Sequence, residues 1–337
     1  MTMRPAIFGL KGPELEADER RFFRAADPLG FILFQRNCET PAQIRRLTAA
    51  LREAVGRADA PILIDQEGGR VQRLKPPHWR AAPTAARFGE LNARSRAAAR
   101  EAAALNSQLI GLELAALGID VDCAPVLDLA RPGAHEVIGD RAYSADPDEV
   151  AELGRAVCEG LMAAGVLPIV KHMPGHGRAT VDSHHALPTV DASREELARS
   201  DFKPFRLLRD MPWAMTAHIL FDSIDPARPA TLSPTVIAEI VRGHIGFDGV
   251  LVCDDLSMKA LQGRPGDLAA GALAAGCDLV LHCNGIMSEM EEVVAAIGPM
   301  RPVTVDRIRR GRQQLDEARK NVPATASIER LDALMKA

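Results

Sequence analysis

Eight short apolar runs recur along the 337 residues, with amphipathic stretches between them, and this alternation constrains the fold more than any other feature of the chain. The runs cover residues 5–10, 30–34, 61–65, 119–125, 166–171, 214–220, 249–254 and 277–282, and the helix-like stretches cover 41–55, 93–117, 147–164, 194–208, 234–244 and 267–275. Thr40, Asp146 and Ser233 each stand directly before a proline, the pattern of a capping side chain followed by proline at the first helical position. Runs that are apolar throughout, rather than alternating, are strands buried on both faces, as in parallel sheets covered by helices. Eight of them interleaved with helices predict an α/β fold, a single (β/α)8 TIM barrel, with an open doubly wound sheet as the structural alternative. No low-complexity linker divides the chain. Residues 1–337 are therefore expected to form one domain, with residues 305–337 as one or two helices packed on the outside of the barrel.

Composition removes several function classes. A formal net charge of −4 provides no basic footprint, so neither nucleic acid nor an anionic membrane is expected as the main partner. Six cysteines, Cys38, Cys123, Cys158, Cys253, Cys277 and Cys283, are scattered without the close paired spacing of a zinc site or a disulfide scaffold. They read as reduced structural thiols, which suits a cytosolic protein. The apolar run 6–10 is too short for a signal-peptide core, and no stretch has the ~18 apolar residues of a membrane span. A soluble, cytoplasmic protein, monomeric, follows as the expectation.

Chemistry concentrates in one place. From Lys171 to Pro188 the chain reads Lys-His-Met-Pro-Gly-His-Gly-Arg-Ala-Thr-Val-Asp-Ser-His-His-Ala-Leu-Pro, directly after the apolar run 166–170. A strand that ends in a lysine, an aspartate and four histidines brings titratable groups to one mouth of the fold, and packing gives an ordinary surface loop no reason to do so.

This run resembles the Lys-His-Phe-Pro-Gly-His-Gly…Asp-Ser-His signature of family 3 glycoside hydrolases, in their bacterial β-N-acetylglucosaminidase branch, which trims peptidoglycan fragments. Three further stretches match that branch in order: Ile64-Asp65-Gln66-Glu67-Gly68-Gly69-Arg70-Val71-Gln72-Arg73, Ile138-Gly139-Asp140-Arg141 and Asp254-Asp255-Leu256-Ser257-Met258. Met173 stands where the family usually has phenylalanine, and Arg178-Ala179-Thr180-Val181 departs from the acidic or small residues often found there, so Arg178 is expected to affect the loop or its leaving-group contacts. Larger family members complete the site with a second domain, which this chain is too short to hold, so barrel loops are expected to supply all the chemistry.

The resemblance implies a retaining exo-β-N-acetylglucosaminidase with terminal GlcNAc of GlcNAc-1,6-anhydroMurNAc and its peptides as substrate. Retention needs a carboxylate nucleophile and an acid for the leaving oxygen. Asp254, the first acidic residue of its motif, takes the first role; Asp255 competes by position, but strand alternation points it elsewhere and suits it to capping the next turn. The acid in this branch is a histidine supported by an aspartate two residues earlier, here His184 with Asp182, with the neighbouring His185 as competitor. A carboxylate on one ring nitrogen fixes the tautomer and leaves the other nitrogen to donate. Asp65, Arg73, Arg141, Lys171 and His172 are expected to hold the terminal sugar, while Glu67 and Arg70 brace their turn, and His176 stands behind the site in a turn whose glycines allow positive φ.

Neither a metal nor another cofactor is expected. The strongest rival, a metal-dependent barrel hydrolase, draws ligands from His172, His176, His184, His185, His218 and Asp254, but His-x-x-x-His ligates from a helix, and Pro174 with two glycines interrupts one here. Substrate-assisted chemistry needs an Asp-Glu pair or its like at a strand end, whereas Asp18-Glu19, Asp148-Glu149 and Asp316-Glu317 lie in helix-like segments. A non-catalytic sugar-binding protein would keep Asp65 and Lys171 but has no use for the dyad.

Overall fold

The computed structural model describes residues 3–131, 133, 137–179, 181, 183, 186–320 and 327–336. Of the residues singled out above, Asp182, His184 and His185 lie outside these. Eight parallel strands, β1 (Arg4–Phe8), β2 (Pro28–Leu33), β3 (Ile62–Ile64), β4 (Val121–Asp122), β5 (Leu167–Met173), β6 (Trp213–Thr216), β7 (Val250–Val252) and β8 (Val280–His282), are hydrogen-bonded in the order 7-6-5-4-3-2-1-8. A parallel bridge between Val252 and Leu279 joins the two ends, so the sheet closes on itself as a (β/α)8 barrel rather than remaining open. Each expected strand is present at its expected place. All residues of β2, β3 and β5 are buried, which is why their sequences show no alternation.

Helices cover the outside of the barrel. The start of α2 (Pro41–Val55) is fixed by Thr40, whose hydroxyl accepts from Gln43 N, and α5 (Pro147–Ala163) is capped by Asp146 in the same way. The stretch expected as one helix over 93–117 is instead the end of α3 (Ala85–Arg94) followed by α4 (Arg96–Ala115). Ser95 takes extended φ/ψ between them and its hydroxyl caps α4 by accepting from Ala98 N. The stretch 194–208 likewise divides into α6 (Arg194–Arg199) and α7 (Lys203–Leu207), because the intervening Asp201 is drawn inward to two arginines described below. Val236–His244 is π-helical, with Ser233 Oγ accepting from Val236 N at 3.1 Å. Alongside α8 (Pro265–Ala275), two helices are present that the periodicity did not reveal, α1 (Ala17–Ala26) and α9 (Met287–Ala296).

Two C-terminal helices, α10 (Pro302–Lys320) and α11 (Ile328–Lys336), lie against the barrel helices. Asp278, fully buried beneath α10, accepts from Arg307 Nη1 at 2.9 Å, Thr304 Oγ1 at 2.9 Å, Arg242 Nη2 at 2.8 Å and Leu251 N at 3.0 Å. A buried carboxylate is tolerable only when its lone pairs are filled in this way. Arg330 of α11 grips Glu101 of α4 through two bonds, at 2.7 and 2.8 Å. Among the described residues, no helix is long and apolar enough to cross a membrane.

Candidate active site

The carboxyl ends of the strands surround a cavity of about 290 Å³ lined by Asp65, Arg73, Arg141, Lys171, His172 and Asp254. All the sugar-holding residues expected from the sequence, and the expected nucleophile, therefore meet in one space. The first of them stands on a hairpin. Gln66–Gly68 pairs antiparallel with Val71–Gln72 just beyond β3. Gln66 N donates to Asp122 Oδ1 at 2.9 Å, and Gln66 Oε1 accepts from Arg73 N at 2.9 Å and Leu74 N at 3.0 Å. The backbone of Gln66 thus ties the hairpin to β4 while its buried side-chain amide closes the hairpin, and together they aim Asp65, Glu67 and Arg73.

Charges alternate across the hairpin. Lys171 Nζ bridges Asp65 Oδ1 at 2.8 Å and Glu67 Oε1 at 2.6 Å, Arg73 Nη2 meets Asp65 Oδ2 at 2.9 Å, and Arg141 takes Glu67 in a fork of two 2.8 Å bonds. Burial opposes the ionisation of Asp65, but Lys171 and Arg73 outweigh it and hold the carboxyl well below the usual carboxylate range. Burial likewise opposes the ionisation of Glu67, and Arg141 and Lys171 outweigh it, bringing the pKa to about 2. Lys171 is held above its ordinary value although burial acts against its charge, because the two carboxylates flank it. Arg141, its side chain 11% exposed, is largely enclosed within this ion pair. Arg70 braces the hairpin as expected, with Nε on Asp140 at 2.9 Å and Nη2 on the carbonyls of Val137 and Ile138. Phe34 at the cavity edge has the guanidinium groups of Arg36 and Arg73 each 5.1 Å from its ring centroid, a cation–π contact with each.

On β5, Lys171 and His172 follow one another across a cis peptide bond. The ring of His172 lines the cavity, and its Nδ1 lies 2.6 Å from Oδ2 of the fully buried Asp128. Asp128 Oδ1 accepts from His176 N at 2.6 Å. Sequence reading missed Asp128. Its only signal is a single acidic residue inside the apolar run Pro125-Val126-Leu127-Asp128-Leu129, and its partner lies 44 positions away. Buried His176, its pKa pushed down to about 4 chiefly by burial, points Nε2 at Ser183 Oγ, 3.1 Å away. Ser183 is held from the other side as well, since its carbonyl accepts from Ala260 N at 3.1 Å. The middle residue of the Asp-Ser-His motif is thus fixed both to the loop after β5 and to the segment beyond β7.

Asp254 and Asp255 follow β7 and differ sharply in use. Asp255 Oδ1 accepts from Ser257 N at 3.0 Å and Cys283 N at 3.1 Å, and its Oδ2 accepts from Ser257 Oγ at 2.6 Å, the bonding of a turn cap. The carboxylate of Asp254 accepts only the backbone N–H of Asp255, at 2.8 Å, and among the described residues no side chain donates to it. Burial works against its charge, yet His218, His172, that N–H and Lys171 together lower its pKa, so it is ionised at neutral pH. His218, a ligand in the metal-dependent alternative, does not line the cavity. Both of its ring nitrogens are occupied, Nδ1 by Thr231 Oγ1 at 2.8 Å and Nε2 by the carbonyl of Asp255 at 3.0 Å.

The loops after β4 and β5 touch closely. Gly175 has φ +142°, as the expected turn requires, whereas Gly177 has no positive φ and is needed for space: a Cβ there would stand 2.4 Å from the carbonyl oxygen of Leu129. Arg178, the departure from the family pattern, points away from the cavity to Asp201 at 2.8 Å and Glu196 at 2.8 Å. The buried Asp201 also takes Arg131 of the β4 loop at 3.3 Å.

Comparison with known proteins agrees with this geometry. The family model described as the N-terminal domain of glycosyl hydrolase family 3 matches residues 14–315. A β-hexosaminidase of Alkalilimnicola ehrlichii is 41% identical over 289 residues, covering 84% of this chain and 82% of that protein. The crystal structure of NagZ from Neisseria gonorrhoeae in complex with N-trifluoroacetyl-D-glucosamine superposes with a TM-score of 0.84 at 32% identity, over 100% of this chain and 95% of that one. The same protein in complex with zinc ion gives 0.85 at 30% identity, over 99% and 98%. With a closed parallel barrel, a carboxylate-rich cavity at the strand ends and these matches, the chain belongs to glycosyl hydrolase family 3, as a glycosidase of the β-hexosaminidase kind.

Proposed function

We propose that the chain is a retaining exo-β-N-acetylglucosaminidase that removes terminal GlcNAc from peptidoglycan fragments, GlcNAc-1,6-anhydroMurNAc and its peptides. The observation that carries the reading is Asp254, an ionised carboxylate at the cavity that, among the described residues, is bonded only to a neighbouring backbone N–H while Asp255 is spent on a turn. Asp254 attacks the anomeric carbon and forms the glycosyl-enzyme, and His184, oriented by Asp182, protonates the leaving oxygen and then deprotonates water. Asp65, Arg73, Arg141, Lys171 and His172 hold the sugar. The ligand carried by the gonococcal structure, an N-acylated glucosamine, supports that choice of sugar. Turnover needs no metal, because both catalytic roles fall to side chains, and the zinc seen with that relative is read as dispensable here. All six cysteines are free and buried, which supports a reducing cytoplasmic setting, and we take the working unit as one monomeric barrel domain.

Incubation with a 5-fluoro N-acetylglucosaminyl donor followed by peptide mapping tests the assignment. A label on Asp254 is expected. A label on Asp255, or none together with no turnover of an aryl N-acetylglucosaminide, would overturn it.

A further inference from the structure

We infer that Asp128 is a positioning residue for sugar binding, one that acts through His172. The inference rests on the reading above that His172 touches the terminal sugar. Three donors converge on this one carboxylate: His172 Nδ1 at 2.6 Å on Oδ2, and on Oδ1 the backbone N–H groups of His176 at 2.6 Å and His172 at 3.4 Å. Asp128 is itself 1% exposed and His172 is 7% exposed, so the pairing is screened from water and charge-assisted, the stronger kind of hydrogen bond.

An ionised carboxylate only accepts, so the proton of this pair sits on Nδ1 and the tautomer of His172 is set. The ring plane is set too, because Oδ1 is held by two backbone N–H groups and Oδ2 has no freedom to swing. Nε2 is then the nitrogen left for a sugar hydroxyl. Strand pairing carries the same arrangement: Val126 bridges Lys171, and Leu127 N donates to the carbonyl of Lys171 at 2.6 Å. The carboxylate on the β4 loop and the imidazole on β5 are thus held in register by the backbone between them.

Asparagine at 128 makes a sharp test. Its single oxygen takes the place of Oδ1 before the two backbone N–H groups, and its amide NH2 then faces Nδ1. The ring is forced to accept there and to carry its proton on Nε2. The substitution is nearly isosteric and removes one buried negative charge, while the tautomer is reversed.

The experiment is a double-mutant cycle of Asp128→Asn and His172→Ala, read twice: as kcat and KM on an aryl N-acetylglucosaminide, and as affinity for N-acetylglucosamine by calorimetry. Asp128→Asn is expected to raise KM and weaken sugar binding by about tenfold or more in the His172 background, and to change neither by more than about twofold once His172 is alanine. Equal losses in both backgrounds would show that Asp128 acts independently of His172 and would overturn the inference. Wild-type protein that binds the sugar without hydrolysing the aryl glycoside would overturn the proposed function, while the binding cycle would still decide Asp128. Should Asp128→Asn fail to fold, the ring 15N resonances of wild-type His172 decide instead. A proton on Nδ1 is expected, and a ring protonated on Nε2 alone would overturn the inference.

Discussion

Asp122 offers the most exacting test of how this barrel treats charge. It is fully buried at the end of β4, its Oδ1 accepts from Gln66 N, and its Oδ2 meets no hydrogen-bond partner among the described residues. Burial raises its pKa from 3.8 to about 7, an effect that the Gln66 N–H and Lys171 reduce and that Asp65 and Glu67 reinforce. Between those two values the unfolded chain releases the proton while the folded protein keeps it, so the folded state binds more protons and stability falls as pH rises. The rise from 3.8 to about 7, at about 1.4 kcal/mol for each pH unit, amounts to about 4 kcal/mol by pH 8. Asparagine keeps the oxygen for Gln66 N and cannot ionise. Asp122→Asn should therefore gain about 4 kcal/mol relative to wild type at pH 8 but less than about 1 kcal/mol at pH 4, which lies barely above the unfolded value, so that little of the linkage has yet developed. Any fixed cost of the amide cancels between the two pH values. Urea unfolding of both proteins at pH 4 and pH 8 reads the difference directly. A stability change that is the same at both pH values, within about 1 kcal/mol, would refute the argument that Asp122 is kept neutral by burial.

Three further outcomes are expected. His184→Ala should lose about 10² to 10⁴ in rate on substrates with poorly acidic leaving alcohols and less on activated aryl glycosides, with a burst of aryl product as the glycosyl-enzyme accumulates; equal losses without a burst would remove His184 from the acid role. Glu67→Gln removes the shared counter-ion of Arg141 and Lys171 and should raise KM on an aryl N-acetylglucosaminide about tenfold, with a stability loss of about 3 kcal/mol from the uncompensated buried cations; an unchanged KM would mean the two cations are placed without it. Dialysis against a chelator should leave kcat/KM within about twofold, and activity that disappears and returns with added zinc would contradict the side-chain mechanism.

Most of the barrel is legible in the sequence because strands buried on both faces leave uninterrupted apolar runs, which tertiary context reinforces. Helix α2 is equally legible, with Thr40-Pro41 at its start and Gly56 at its end. Helix α1 is not: Ala-Asp-Glu-Arg-Arg-Phe-Phe-Arg-Ala-Ala is rich in charge and buries only Glu19, Phe23 and Ala26, too narrow a stripe to stand out. The break at Ser95 was hidden because serine is tolerated inside helices as well as at their caps. In the site, motif residues are readable since their chemistry is local to strand ends. Asp128 and the engaged ring of His218 were not, because what decides their role is a partner 44 or 13 residues away, and a single sequence does not show such pairings. Glu67 was read as a brace, and its direct grip on Lys171 and Arg141 depends on the hairpin register, which Gln66 sets from inside the fold.

The knot at Asp201 bears on how this enzyme could acquire new substrates. One sequestered carboxylate fastens the loop after β4, through Arg131, to the loop after β5, through Arg178, and at Gly177 the two backbones leave no room for a methyl group. Neither loop is then an independent unit of variation. A library that lengthens or randomises one of them while the other stays native would mostly sample loops dragged out of place by their partner. Grafting both loops with α6 and α7 as a single cassette preserves the fastening, so natural divergence in aglycone preference is expected to have moved these segments together.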